Sequence, residues 1–173
     1  MQIGFIVSPG RGRIDPLIAA VADRLQAEGL RLTGVVQTNT DRPGSHRCDM
    51  DVRILPHGPV VRISQNLGRE ARGCQLNPEA LEQSVGEVMR RLEAGTVDLL
   101  ILNKFGKQEM EGRGFRPAIA EALGRGVPVL TGINDDNRAA FDAFVAGMAE
   151  ALPPDFDAIL DWVAAVRAAV AAA

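Results

Sequence analysis

Along the 173 residues, apolar positions fall into short unbroken runs that alternate with stretches of helical spacing. Ile3 to Val7 is such a run, closed by Ser8-Pro9-Gly10-Arg11-Gly12, a composition that makes a loop. Asp15-Pro16 then predicts a helix start, with the carboxylate capping free amides and proline at the first helical position. Ile18, Val21, Ala22 and Leu25 share one face of that helix, and Gly29 ends it. Leu32 to Gln37 predicts a second strand, whereas Thr38 to Arg47 is polar, without period, and reads as a loop. Asp51 to Leu55 and Val60 to Ser64 predict a hairpin through Pro56-His57-Gly58-Pro59, and Asn66 to Gln75 a second polar loop.

Asn77-Pro78 repeats the cap-then-proline device, with Leu81, Val85, Val88 and Leu92 as the apolar stripe and Gly95 as the stop. Val97 to Leu102 is apolar at nearly every position, which suits a parallel strand covered on both faces. A helix around Arg116 to Leu123 and a strand over Val127 to Thr131 follow, then two helices near Asn137 to Glu150 and Asp155 to Ala169. Phe156, Ile159, Leu160, Val163 and Val166 form the core stripe of the last helix. Trp162 falls on its other side, partly exposed, where a homodimer or a protein partner would make contact. The alternation predicts a single α/β domain over 1–173: a three-layer sandwich on a mostly parallel sheet, with a hairpin insertion.

Composition narrows the function. Apolar residues at 46% and charged ones at 24% support a packed core. A net charge of −3 argues against a general nucleic-acid or membrane surface. The N-terminal apolar run is too short for a signal peptide or a span, and two cysteines make no disulfide framework, so the expectation is a cytoplasmic protein. Basic residues nonetheless gather in three loops. Arg11, Arg13, Arg69, Arg72, Lys104, Lys107 and Arg113 are 7 of the 19 Lys and Arg, as a small anionic ligand would need.

The loop after the first strand carries the most chemistry. A P-loop uses glycines so that amides wrap a phosphate, a lysine for the outer phosphates and Ser/Thr for magnesium. Pro9-Gly10-Arg11-Gly12-Arg13 lies between first strand and first helix, with Arg13 on the lysine position and Ile14 on the hydroxyl position; Val7 replaces the first glycine. The bland alternative is a tight turn without ligand. The strand-end carboxylate that would hold magnesium through water is replaced by Asn103, followed by Lys104. Glu109 and Glu111 are carboxylates nearby that could substitute catalytically, or simply solvate the surface.

Leu102 to Gly114 (Leu-Asn-Lys-Phe-Gly-Lys-Gln-Glu-Met-Glu-Gly-Arg-Gly), Arg62 to Gly68 and Gly73 to Pro78 resemble a bacterial family of unknown function, often encoded beside molybdate-uptake genes. That family is in turn similar to small P-loop nucleoside-triphosphatases, whose pattern reads Asp-Glu-Ile-Gly-Lys-x-Glu. Gly106, Lys107 and Glu109 match it; Val7, Arg13, Ile14, Asn103 and Lys104 depart from it. The resemblance implies a P-loop fold and ATP or GTP as ligand, while the departures weaken both magnesium binding and hydrolysis.

Two further readings stay open. One is a molybdate, oxyanion or metal binder, in which His46, Cys48, His57 and Cys74 would form a zinc set of unusual spacing. The other is an active triphosphatase with an atypical metal site built on Glu109 or Glu111. Asn134-Asp135-Asp136-Asn137 is read as a helix cap with spare polar residues.

Overall fold

The computed structural model describes residues 2–8, 13–42, 48–65 and 76–172. Its elements are β1 (Ile3–Ser8), α1 (Asp15–Ala27), β2 (Leu32–Asp41), β3 (Cys48–Leu55), β4 (Val60–Arg62), α2 (Pro78–Ala94) and β5 (Leu99–Phe105). They continue with α3 (Lys107–Met110), α4 (Arg116–Gly124), β6 (Val129–Asn134), α5 (Arg138–Val145), β7 (Ala149–Leu152) and α6 (Phe156–Ala171). The strands order as β4-β3-β2-β5-β6-β1-β7. From β2 to β7 neighbours are parallel; β3 and β4 add an antiparallel hairpin at one edge. This is the predicted sandwich with its hairpin insertion.

Side-chain alternation builds two cores, one on each face of the sheet. Leu99, Ile101 and Ile6 point toward α1 and α6, whose Ile18, Val21, Ile159 and Val163 cover them. Leu100, Leu102, Ile3 and Phe5 point the other way, under Leu81, Val88, Ile119 and Phe141 of α2, α4 and α5. Asn77 caps α2 as expected, its side chain accepting from the amides of Glu79 and Ala80 at 3.1 and 3.2 Å. Asn77→Ala should therefore cost about 1 kcal/mol in a denaturant titration, and an unchanged midpoint would show the cap to be idle.

Several expectations are corrected. Asp15 does not cap α1: Ile14 is the N-cap without a side-chain bond, and the buried Asp15 carboxylate instead accepts from Asn39 Nδ2. The polar stretch after Gln37 is not all loop. β2 runs on to Asp41, pairing Thr38 to Asp41 with Asp51 to Cys48 in an antiparallel ribbon. Just past it Arg42 pairs with Asp49 of β3, and on the other side of β3 Arg62 of β4 reaches Asp51 at 2.5 Å and Asp49 at 2.9 Å. The helix expected up to Glu150 stops at Val145, and Ala149–Leu152 becomes a strand beside β1. Trp162 is not a surface residue. It is 8% exposed and packs where Gly4 leaves room; a Cβ on Gly4 would lie 2.8 Å from the indole.

Candidate functional site at the carboxyl ends of the strands

β1, β2, β5 and β6 all finish at one edge of the sandwich, where open α/β sheets place their ligands. At that edge a cavity of about 510 Å³ opens between the β2–β3 ribbon, α2 and the segment after β5. Met50, Val52, Ile63, Leu81 and Phe115 give it an apolar lining. Carboxamides line it as well: Gln37 and Asn39 on β2, paired in register with Val52 and Met50 of β3, Asn103 on β5 and Asn134 closing β6. Lys104, Lys107 and the carboxylate-bearing Glu109 also line it.

The carboxamides are partly ordered by one another. Gln37 Nε2 donates to Asn39 Oδ1 at 2.7 Å, and Asn39 passes its own amide hydrogen to Asp15. Asn103 is 2% exposed, yet among the described residues neither its Nδ2 nor its Oδ1 has a hydrogen-bond partner. Asn134 Oδ1 and Asp15 Oδ1 are likewise buried and unpartnered. Such orphaned groups each cost about 1–3 kcal/mol and call for an explanation. Gln37, Asn39 and Asp15 were not among the sequence-derived candidates for this site. Alternating polar residues past Val36 were the available signal, hidden because that stretch resembled a loop.

Glu109 is 4% exposed, so it does not solvate the surface. Its Oε2 accepts from the Gly106 amide at 2.8 Å and its Oε1 from the Phe115 amide at 3.0 Å, which ties the turn after β5 to the start of α4. Burial pushes its pKa above the ordinary glutamate value, while the two amides pull it back and Glu82 adds to the rise. Glu111 is exposed and pairs with Lys107 at 3.8 Å and with Arg113, so two of the expected free cations are partly neutralised. Lys104 and Arg13 form no ion pair among the described residues, and Arg13 stands exposed just ahead of α1.

Other candidates are not brought together. Pro9, Gly10, Arg11, Gly12, Arg69, Arg72, His46 and Cys74 lie outside the described residues. Cys48 opens β3 while His57 lies beyond its far end, against Gln26 of α1 at 3.2 Å. At ~3.4 Å per residue, the seven steps of β3 put the two roughly 24 Å apart, so they cannot share a zinc ion. Among the described residues no cluster of three His, Cys, Asp or Glu could hold a metal. Asn134 caps no helix with its side chain; the short 3₁₀ turn at Asp135–Asn137 follows it, and Asn137 Nδ2 donates to the Phe105 carbonyl at 3.2 Å.

Magnesium fits poorly. Ile14, on the hydroxyl position, is buried against the backbone of Gly132 and offers no oxygen. Asn103, on the carboxylate position, is neutral, and Lys104 beside it would repel a cation. No helix among the described residues is long and apolar enough to cross a membrane.

Over 149 residues the chain is 34% identical to the molybdenum import ATP-binding protein ModC 2 of Bradyrhizobium diazoefficiens. That match covers 86% of this chain but only 16% of the relative's length. It is 27% identical over 131 residues to the nucleoside-triphosphatase THEP1 of Thermofilum pendens, covering 73% of this chain and 70% of that one. The solution structure of a human cancer-related nucleoside triphosphatase superposes with a TM-score of 0.63 over 87% of each chain, at 17% identity, so the fold is that of a P-loop nucleoside triphosphatase. Residues 3–162 match the family described as protein of unknown function DUF2478, and the chain belongs to that family.

Proposed function

We propose that this protein binds a nucleotide or other phosphate ligand through a degenerate P-loop, with weak or no hydrolysis, and serves molybdenum metabolism. The observation that carries the reading is the combination of an exposed Arg13 at the β1–α1 junction, in no ion pair among the described residues, with the loss of both magnesium positions, Ile14 and Asn103. Gly10, Gly12 and Arg13 would hold phosphate by amides and a guanidinium. Lys104, with Lys107, would supply the positive charge that a metal otherwise brings. Hydrolysis lacks the cation that stabilises the transferring phosphoryl group. The molybdenum role rests on the likeness to the import protein, of which this chain spans a small part.

Thermal shift with ATP, GTP and inorganic triphosphate, each with and without magnesium, tests the reading, since ligands of the native state raise the melting temperature. The expected result is a shift independent of magnesium. Arg13→Ala should weaken triphosphate binding by about 1.5–3 kcal/mol, the range for a charged hydrogen bond; an unchanged affinity removes Arg13 from the site.

The likeness to a molybdenum import protein also favours a second reading, in which the same basic loops hold molybdate. Molybdate binding that ATP fails to displace would place the oxyanion in a site of its own.

A further inference from the structure

We infer that Asn103 and Lys104, brought to one cavity by a bulge in β5, act as a donor pair for the far end of a polyphosphate chain, where a metal-holding carboxylate would otherwise stand. The inference rests on the phosphate reading for its class of ligand, and on the end of β5 for its evidence.

The bulge is the first observation. In a regular strand neighbouring side chains point to opposite faces. Here β5 pairs Leu102 with Thr131 and Phe105 with Ile133 of β6, so Asn103 and Lys104 together stand opposite the single residue Gly132. Both then line the same cavity, which regular alternation would not allow. Bulges re-aim side chains in this way, often next to active sites.

What the bulge delivers is two donors with nothing to donate to. Asn103 is buried, and among the described residues its Nδ2 meets no acceptor. Lys104 is half-buried and enters no ion pair among the described residues. Among those residues Glu109 is the one carboxylate lining the cavity, and both its oxygens accept from the amides of Gly106 and Phe115. An amide N–H beside an ammonium suits an anionic oxygen, and such charge-assisted bonds are the strong ones. The Asn103 Oδ1 is left to a water or to the hydroxyl of a protonated terminal phosphate.

Position sets the class of anion. β6 separates β5 from β1, so at ~4.8 Å per strand their ends lie roughly 10 Å apart. A phosphate chain that starts at the β1–α1 junction spans that gap, whereas a single oxyanion seated there leaves Asn103 unpartnered.

The test is calorimetric titration of inorganic triphosphate, without magnesium, into the wild-type chain, Arg13→Ala, Asn103→Leu, Asn103→Asp and Lys104→Met, with the ligand-free melting temperature of each. Asn103→Leu and Lys104→Met should each weaken binding by about tenfold or more, the loss of one charge-assisted hydrogen bond. Asn103→Asp should bind more weakly still, because a carboxylate of the same shape then faces the phosphate. The melting temperature of Asn103→Leu should hold or rise, since an apolar group of similar shape replaces an orphaned polar one. Wild-type affinity in both Asn103 variants, or an affinity lost in Asn103→Leu only alongside a fall in melting temperature, overturns the assignment. If Arg13→Ala weakens binding and the Asn103 and Lys104 variants do not, the phosphate site stands without this pair; if the wild type binds no triphosphate, both readings fall.

Discussion

Replacing Gly34 by alanine should cost about 4 kcal/mol or more and leave little folded protein at physiological temperature. Gly34 sits in β2 with φ +115°, between Ile101 on β5 and Leu55 on β3. A Cβ there would stand 1.9 Å from the Ile101 carbonyl oxygen and 2.8 Å from its carbon. Those are backbone atoms in the middle of the sheet, so relief requires β2 and β5 to part. The penalty therefore adds a steric clash to the unfavourable dihedral. Gly29 is the control: its φ is +85°, but nothing lies within 4 Å, and Gly29→Ala should lose only about 1 kcal/mol. Urea unfolding followed by the fluorescence of the single tryptophan separates the two. A small loss at Gly34 would mean that β2 can slide on β5, and then Gln37 and Asn39 would not be fixed in the cavity wall either.

What the sequence made legible follows a physical rule: patterns settled by local chain chemistry were readable, and those settled by a distant partner were not. Asn77-Pro78 and the run Leu99 to Leu102 announced a capped helix and a buried strand, and the structure has both. Asp15-Pro16 carried the same local signature, yet Asp15 turned to Asn39, 24 positions away, and the cap was never made. Thr38 to Asp41 has no apolar period because its side chains are exposed or half-buried, and backbone pairing with β3 makes it a strand. β7 was hidden for a similar reason: Ala149–Leu152 buries only Leu152 and owes its strand form to pairing with β1. The site shows the same division. The strand-end positions Asn103 and Lys104 could be picked out by motif, but the cavity they face needs residues from β2, β3 and α2, and Phe115 ahead of α4, that no spacing rule links.

Glu109→Gln should lower stability by about 2–3 kcal/mol, because the new amino group would face an amide hydrogen that the carboxylate now accepts. With Oε2 on Gly106 and Oε1 on Phe115, the side chain acts as a clasp within the chain. The pH dependence gives an independent signature. Burial raises the folded-state pKa above the ordinary 4.5, so between these two values the folded form holds more proton than the unfolded one. Stability then falls as pH rises through that window, and the variant lacks this slope. Asp49 and Asp98, held below the ordinary 3.8 by Arg42 and Arg31, act with the opposite sign and lower down, losing their contribution as pH falls below that value. The difference between wild type and variant above pH 4.5 therefore isolates Glu109. The same variant tests the triphosphatase reading. A general base contributes roughly a hundredfold or more, so magnesium-dependent phosphate release, measured well below both melting temperatures, should collapse if Glu109 activates water. A change of only a few-fold, alongside the lost stability, assigns Glu109 to holding Gly106 and Phe115 in place at the cavity wall.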